Sequence, residues 1–396
     1  MALQSLQPQA CTLARLGLAA LGALALAGCQ LVPQARTEGP SGPAAPAAEA
    51  QADEPRLNLP LGETRNRVAI LVPLTGPNAA VGQSIANSAN LALADTRSDK
   101  IRITAYDTAP GAVAAANEAL AEGNGLFLGP LLAEDALAVA PVARGANVPV
   151  IAFSNDVSVA GDGVYLLGLD PSQAIDRVVA YARSRGALRF GGLLPTTVYG
   201  ERAGRALADA VQRHGGQLVA VRTYARTADS LRTAASELNG QGPFDAVLVA
   251  DGARLSASAV APLRRGSPQV RILGTELWST EANPGAQAAL RGGWFAGPSN
   301  INFNQLSTRY RARYGASLYR LGSLGYDGVL LAVRSADAWR LGRRFPARTL
   351  RADDGFTGVD GAFRFARGGI AERALQVEEV TSTGTNVLSA APAGFR

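Results

Sequence analysis

A serine and an asparagine follow a short apolar run in the middle of the chain, and their side chains suit the binding of an anion. Residues 150–153 read Val-Ile-Ala-Phe, which is typical of a strand, and Ser154, Asn155 and Asp156 come directly after them. A hydroxyl and an amide beside free backbone N–H groups and a helix start can hold a carboxylate. The same residue types also favour ordinary turns and helix caps, so both interpretations stay open.

The chain offers few residues for covalent or metal chemistry. His214 is its only histidine, and its two cysteines are Cys11 and Cys29. One histidine excludes histidine-based metal clusters and argues against a Ser-His-Asp triad. No Walker loop, HExxH or GxSxG motif occurs. We therefore expect no catalytic residue, no metal and no cofactor, and a binding protein rather than an enzyme.

Cys29 closes an apolar run that starts at Leu16 and ends in Leu-Ala-Gly-Cys. The run is too short to cross a bilayer but has the length of a signal-peptide core. Its end resembles a bacterial lipoprotein signal, which predicts a signal peptide over 1–28 and a lipid anchor at Cys29, although a plain secretory signal is the alternative. Gln30 after the cysteine resembles an outer-membrane address, so we expect the periplasmic face of the outer membrane.

The segment after Cys29 differs in composition from the rest of the chain. Residues 29–66 are rich in Pro, Ala, Gly and Glu with few large apolar residues, which predicts a disordered tether.

The charge of the chain limits its partners. The net charge is +6, but arginines and acids are interspersed and Lys100 is the only lysine, so we expect no nucleic-acid partner. The arginine-rich run 340–344 is interpreted as a solvated face, with an acidic partner surface as the alternative.

From Arg67 onward, strand-like and helix-like pieces alternate, with Gly or Pro at most junctions. This order specifies βαβ units and parallel sheets. The strands are more numerous than one ordinary sheet needs, so the prediction is an α/β protein with two lobes. We assign 67–171 and about 299–345 to lobe one, and 172–298 and about 346–396 to lobe two.

Six motifs then occur in an order that resembles the type 1 periplasmic-binding-protein fold, shared by leucine/isoleucine/valine-binding proteins. They are Pro73-Leu74-Thr75-Gly76-Pro77 with Val81-Gly82, Phe127-Leu128-Gly129-Pro130, Val148-Pro149-Val150-Ile151, Tyr199-Gly200-Glu201, Gly325-Tyr326-Asp327-Gly328 and Phe356-Thr357-Gly358-Val359-Asp360-Gly361. The resemblance covers about 66–385. It implies two lobes, each a parallel sheet flanked by helices, with a cleft between them at the carboxyl ends of the strands.

The resemblance also implies site residues. Glu276 falls where amino-acid-binding relatives carry an acid for the ligand's ammonium, with a solvated loop carboxylate as the alternative. Tyr199 matches a cleft aromatic that either contacts the ligand or packs the hinge. Trp278 is expected to line the same cleft or to serve packing. Ser154 and Asn155 would then hold the ligand's anionic end.

One departure from the family pattern affects the expected function. Amino-acid receptors of this kind place serine and threonine after the third strand, whereas this chain has Pro130-Leu131-Leu132-Ala133-Glu134. With the lipoprotein signal and the tether, this resembles the penicillin-binding-protein activators, which implies a non-catalytic lipoprotein that contacts a peptidoglycan synthase. The alternative is a receptor that delivers an amino acid or a similar small solute to an ABC transporter.

Overall fold

The computed structural model describes residues 57–281 and 283–395, and its first sheet is entirely parallel. The sheet has the order β2-β1-β3-β4-β5. Its strands are β1 (Asn66–Val72), β2 (Ile101–Asp107), β3 (Asn124–Leu128), β4 (Val150–Ala152) and β5 (Val164–Leu166). The crossover helices are α1 (Ala79–Thr96), α2 (Ala112–Ala121) and α3 (Ala133–Gly145).

Strand β1 shows why this sheet is covered on both sides. All seven of its residues are buried. Val68, Ile70 and Val72 face one hydrophobic cluster, and Ala69 and Leu71 face another. A run of consecutive apolar residues is what a strand between two helical layers requires.

The second sheet has seven strands in the order β15-β14-β10-β9-β8-β6-β7. Five of them run parallel: β6 (Arg189–Pro195), β7 (Gln217–Tyr224), β8 (Ala246–Val249), β9 (Arg271–Leu273) and β10 (Trp294–Gly297). The hairpin of β14 (Gln376–Val380) and β15 (Thr385–Ser389) adds to β10 in the antiparallel sense. Its helices are α4 (Pro171–Ser184), α5 (Val198–Arg213), α6 (Ala228–Asn239) and α7 (Ala253–Gly266). The predicted fold class, α/β with two lobes of parallel sheet and helices, is confirmed.

Two further helices and a small sheet complete the first lobe. Helices α8 (Asn300–Tyr314) and α9 (Gly322–Ala336) contribute Leu306, Tyr310 and Val329 to the cluster that contains Ile70. The small antiparallel sheet consists of β11 (Phe356–Gly358), β12 (Gly361–Phe365) and β13 (Ala371–Arg373).

The division of the C-terminal region differs from the sequence prediction, which assigned about 346–396 to lobe two. Phe356, Phe363 and Phe365 pack in the first lobe's cluster, whereas β14 and β15 join the second sheet. The chain therefore crosses between lobes a third time, after β13. A strand pattern does not reveal which sheet a strand joins, because pairing depends on distant residues.

The described chain includes residues before 66, the predicted end of the tether, and these residues contact the first lobe. The Leu57 N–H donates to the Gly342 carbonyl at 2.8 Å, and Leu57 packs against the first lobe's cluster. Cys29 and the predicted signal peptide lie outside the described residues. Within those residues, no helix is both long and apolar enough to cross a membrane, and no three His, Cys, Asp or Glu side chains cluster as metal ligands.

Candidate ligand-binding cleft

The carboxyl ends of the second lobe's strands bring a tyrosine and two carboxylates to one edge of the sheet. Tyr199 lies in the first turn of α5, just after β6, and Thr197 caps that helix by accepting from the Gly200 N–H. Asp251 follows β8, and Glu276 starts a short 3₁₀ segment after β9. Ligands of open α/β sheets bind at such an edge.

Glu276, the acid that the sequence analysis selected at this edge, is almost fully buried, with 3 % exposure. Its Oε1 lies 3.0 Å from the Tyr199 hydroxyl, which is also 2.8 Å from Thr275 Oγ1. Its Oε2 is buried and has no hydrogen-bond partner among residues 57–281 and 283–395. Burial raises the pKa of Glu276 to about 7, the Tyr199 hydroxyl and a backbone N–H act to lower it, and the charge of Asp170 raises it further.

Tyr199 is itself held in a nonpolar setting next to this carboxylate. Burial raises the pKa of its hydroxyl well above 10.0, and the nearby charge of Glu276 adds to the effect. The hydroxyl thus stays protonated and acts as a fixed donor. A hydroxyl has one proton, so Tyr199 can donate a hydrogen bond either to Thr275 Oγ1 or to Glu276 Oε1, and Glu276 accepts at most one hydrogen bond from it.

Asp251, which the sequence did not single out, is also buried, but its partners satisfy it. It is 2 % exposed and accepts from Arg226 through Nε at 3.0 Å and Nη2 at 2.8 Å, and from the Tyr224 hydroxyl at 3.1 Å. Two N–H groups of one guanidinium thus donate to the two oxygens of one carboxylate, an arrangement whose geometry fits both groups. This carboxylate is therefore occupied, in contrast to Glu276.

Trp278 lies behind Asp251, in the core. It is fully buried, its Nε1 donates to the Asp251 carbonyl at 3.0 Å, and its ring packs 5.8 Å from that of Phe295. Of the two roles that the sequence left open for it, this placement favours packing. The indole supports the loop that carries Asp251 rather than presenting a face to the cleft.

On the first lobe, the loop after β4 carries Ser154, Asn155 and Asp156. Ser154 is 4 % exposed, and its Oγ accepts from the Asp156 N–H at 3.0 Å, which leaves its own hydroxyl proton free to donate. Asn155 is exposed. The structure therefore keeps both groups at the strand end, as the sequence predicted, within a local turn.

Asp156 joins the two lobes. Its carboxylate forms an ion pair with Arg202 of α5, and the two side chains are only 14 % and 21 % exposed. Burial acts to raise the pKa of Asp156, but the hydrogen bonds from Ser158 and Arg202 outweigh it and hold the pKa below 3.8. Sequence reasoning missed Arg202, although it lies three residues after Tyr199 on the helix that the sequence had selected.

The loop after β3 has the character that the sequence indicated. Leu131 and Leu132 are half-buried, and Glu134 and Asp135 occupy the first turn of α3, where acids complement the helix dipole. No side-chain cap starts this helix. A ligand here would meet apolar groups and backbone rather than hydroxyls.

A family comparison now gives the class of the protein. The family model described as periplasmic binding protein matches residues 66–385. The chain belongs to this family, whose members bind solutes and are not catalysts.

Solved structures with the same fold come from several bacteria. A leucine-binding protein, LivK, of Thermotoga maritima has a TM-score of 0.61 at 19% identity, over 82% of this chain and 98% of that one. A branched-chain amino acid ABC transporter periplasmic ligand-binding protein of Burkholderia xenovorans has a TM-score of 0.68 at 13% identity, over 83% and 96%. A solute-binding protein of Rhodopseudomonas palustris, in complex with p-hydroxybenzoic acid, has a TM-score of 0.66 at 18% identity, over 83% and 98%.

Among curated proteins, the chain matches an uncharacterized protein of Rickettsia prowazekii, 23% identical over 174 residues. The match spans about half of that relative, 47% of its length, and 43% of this chain. None of these four proteins is described as an activator of peptidoglycan synthesis. The expected resemblance to the penicillin-binding-protein activators thus gains no support beyond the shared fold.

Proposed function

We propose that the protein is the solute receptor of an ABC transporter and that its cleft binds a small molecule carrying an ammonium and a carboxylate, an amino acid. This was the alternative of the sequence analysis, and it now takes precedence over a role in activating a peptidoglycan synthase. The observation that carries it is Glu276, a buried carboxylate with one oxygen lacking any partner.

A buried polar atom without a partner costs about 1–3 kcal/mol, and more if it is charged. Such a cost is retained at sites where a ligand supplies the missing partner. An ammonium is the complement of a carboxylate, and it brings three donors. Glu276 Oε2 can accept one of them while Oε1 keeps the Tyr199 hydroxyl.

The anionic end of the ligand is assigned to the loop after β4. The Ser154 hydroxyl and the Asn155 amide are donors, and Arg202 supplies the positive charge on the facing lobe. Asp156 occupies Arg202 when no ligand is bound, and it would repel a carboxylate if it were not neutralised. Ligand binding and the ion pair between the lobes therefore share one guanidinium.

The test is calorimetric titration with a panel of amino acids, against the wild type, Glu276→Gln and Glu201→Gln. Removing one partner of a buried charge pair costs about 2–5 kcal/mol, which is a loss of roughly 30-fold or more in affinity. Glu201 is exposed on α5, the helix that carries Tyr199, so its variant controls for net charge. Equal affinity of Glu276→Gln and wild type would exclude the ammonium site.

The pH dependence separates two ligand classes. With its pKa at about 7, the unliganded Glu276 must lose a proton to pair with an ammonium, so amino-acid affinity rises about tenfold per pH unit below 7 and levels off above it. An aromatic acid, as in the Rhodopseudomonas palustris complex, would instead use protonated Glu276 as a donor. Its affinity would fall as the pH rises through 7.

Branched-chain amino acids are a specific case within the panel. The loop after β3 lacks the hydroxyls that the resemblance implies for carboxylate binding, so we expect leucine and valine to bind weakly or not at all. A thermal shift by either of them that is lost in Glu276→Gln would contradict this expectation and still support transport, since a ligand stabilises the folded protein by mass action.

A further inference from the structure

Four arginines display positive charge on the first lobe, away from the loops of the cleft. Arg340, Arg343, Arg344 and Arg348, here called the arginine surface, line a hollow of about 560 Å³ with Phe345 and Pro346. Arg340, Arg344 and Arg348 are exposed and Arg343 is half-buried. No carboxylate lines the hollow.

Two acids near these arginines in sequence are paired with other cations. Asp337 pairs with Lys100, and Asp354 pairs with Arg334 at 3.1 Å. Across residues 57–281 and 283–395, no carboxylate forms an ion pair with Arg340, Arg344 or Arg348. These three arginines therefore present positive charge that no described carboxylate pairs with directly.

The loop that presents it is fixed to the fold. The Trp339 indole N–H donates to the Arg343 carbonyl at 2.7 Å. Asn66 donates to the Trp339 carbonyl at 2.9 Å and accepts from the Gly342 N–H at 3.2 Å. The arginines thus project from a preorganised turn, so that less conformational entropy is lost when they engage a partner.

An exposed leucine accompanies the charges, and the described chain begins beside the same loop. Leu341 lies within the loop and is 50 % exposed. Leu57 is hydrogen-bonded to Gly342 of this loop. The sequence continues from Leu57 back to Cys29, the predicted anchor, over 28 residues.

We propose that the arginine surface docks on a membrane surface rich in anionic phospholipid, with Leu341 entering the headgroup region. Basic side chains near an anionic surface contribute about 1 kcal/mol each, and exposed apolar side chains add burial at the interface. Lipid headgroups are small, mobile anions that can enter a hollow lined by arginines and contact each of them, and the acyl region below can accept the exposed Leu341. Attachment of the N-terminal segment beside the loop increases the effective concentration of the membrane there.

The experiment measures binding of the chain from Gln30 onward to vesicles of phosphatidylcholine alone or with phosphatidylglycerol. Because every protein starts after Cys29, neither the apolar run 16–27 nor acylation can mask the effect. The triple variant Arg340→Gln, Arg344→Gln, Arg348→Gln is compared with Arg205→Gln, Arg264→Gln, Arg265→Gln, which removes three exposed arginines from the second lobe. Arg343 is left unchanged because it has an interaction of its own.

The first triple variant should lose on the order of 100-fold in partitioning to the phosphatidylglycerol vesicles, since 1.4 kcal/mol is a factor of ten. The control should lose less than about threefold, and added salt should weaken the wild type. Equal losses in the two triple variants would mean that net charge alone acts, and would overturn the proposal. So would wild-type binding that ignores both salt and phosphatidylglycerol. Thermal denaturation of each variant checks that it is folded.

Discussion

Asp156 on the first lobe and Glu276 on the second are both largely buried carboxylates at strand ends, yet their pKa values move in opposite directions. Asp156 has Arg202 and Ser158 as partners, and its pKa lies below 3.8. Glu276 has one hydroxyl and one unpartnered oxygen, and its pKa rises to about 7. Burial acts in the same direction on both but is deeper at Glu276, so the difference arises from the depth of burial together with the partners.

We interpret this difference as two roles: Asp156 holds the lobes together, and Glu276 is available to bind a ligand. The first lobe's charge is matched by the opposite lobe, which favours closure without a ligand. The second lobe's charge is unmatched, and only a ligand or a proton can satisfy it. The backbone around the two edges is nevertheless built in the same way.

The largest expected effect tests that common framework. An added Cβ at Gly82 would lie 1.8 Å from the Pro73 carbonyl oxygen, and one at Gly200 would lie 1.8 Å from that of Pro195. Backbone atoms cannot move aside as a side chain does, so Gly82→Ala and Gly200→Ala should each lower the free energy of unfolding by about 3 kcal/mol. Urea denaturation measures this.

Gly145→Ala, at an open position near the end of α3, should change stability by less than about 1 kcal/mol. If only one of Gly82→Ala and Gly200→Ala were destabilising, the two edges would not share a framework.

The second prediction concerns the unmatched charge. An acid whose pKa is 4.5 unfolded and about 7 folded costs stability as the pH rises from 4.5 to 7, because the unfolded chain releases the proton first. Ligand-free Glu276→Gln should therefore gain about 3 kcal/mol over wild type above pH 7 and nothing below pH 4.5. Urea unfolding at both pH values gives the comparison.

Glu201→Gln, a change of an exposed acid on α5, should stay within about 0.5 kcal/mol of wild type at both pH values. A gain in Glu276→Gln that did not depend on pH would assign the effect to packing rather than to charge.

The third prediction is that removing the charge of Asp156 lowers stability, whereas removing that of Glu276 raises it. A lowered pKa contributes stability that is present above 3.8 and is lost as the pH falls through the folded value. Asp156→Asn should therefore reduce stability by about 1 kcal/mol at neutral pH and by less in acid, as for a partly buried ion pair. A double-mutant cycle with Arg202→Gln isolates the pair, and additive losses would show that the lobes are not coupled through it.

Many features of the fold could be predicted from short stretches of sequence. The buried run over β1, the alternation with helices and the strand-end position of Ser154 depend on neighbouring residues, and the structure has them where the pattern indicated. The Trp278 core position could not be read this way, because it depends on the Asp251 carbonyl and on Phe295. The Asp156–Arg202 pair likewise joins residues that are far apart in the chain and on different lobes.

The same limit applies to the chemistry of the site. The family resemblance pointed to Glu276, but its buried oxygen without a partner among the described residues depends on the packing around it, which no local pattern encodes. The allocation of β11 to β13 to the first lobe is a second example, since it depends on contacts of Phe356 and Phe363 with distant strands.

The smallest expected effect returns to the first lobe. Asn155 is exposed and, unlike Asp156, is not part of the pair between the lobes. Asn155→Ala should leave the free energy of unfolding within about 0.5 kcal/mol of wild type. If its amide holds the ligand's carboxylate, affinity should fall about threefold to tenfold, the value of one hydrogen bond. Calorimetry on Asn155→Ala and Asn155→Gln measures this, with partial rescue expected in the latter. Unchanged affinity in both variants would remove Asn155 from the ligand site and leave Ser154 as the only proposed donor of this loop, which would make the two sides of the cleft more unequal than proposed.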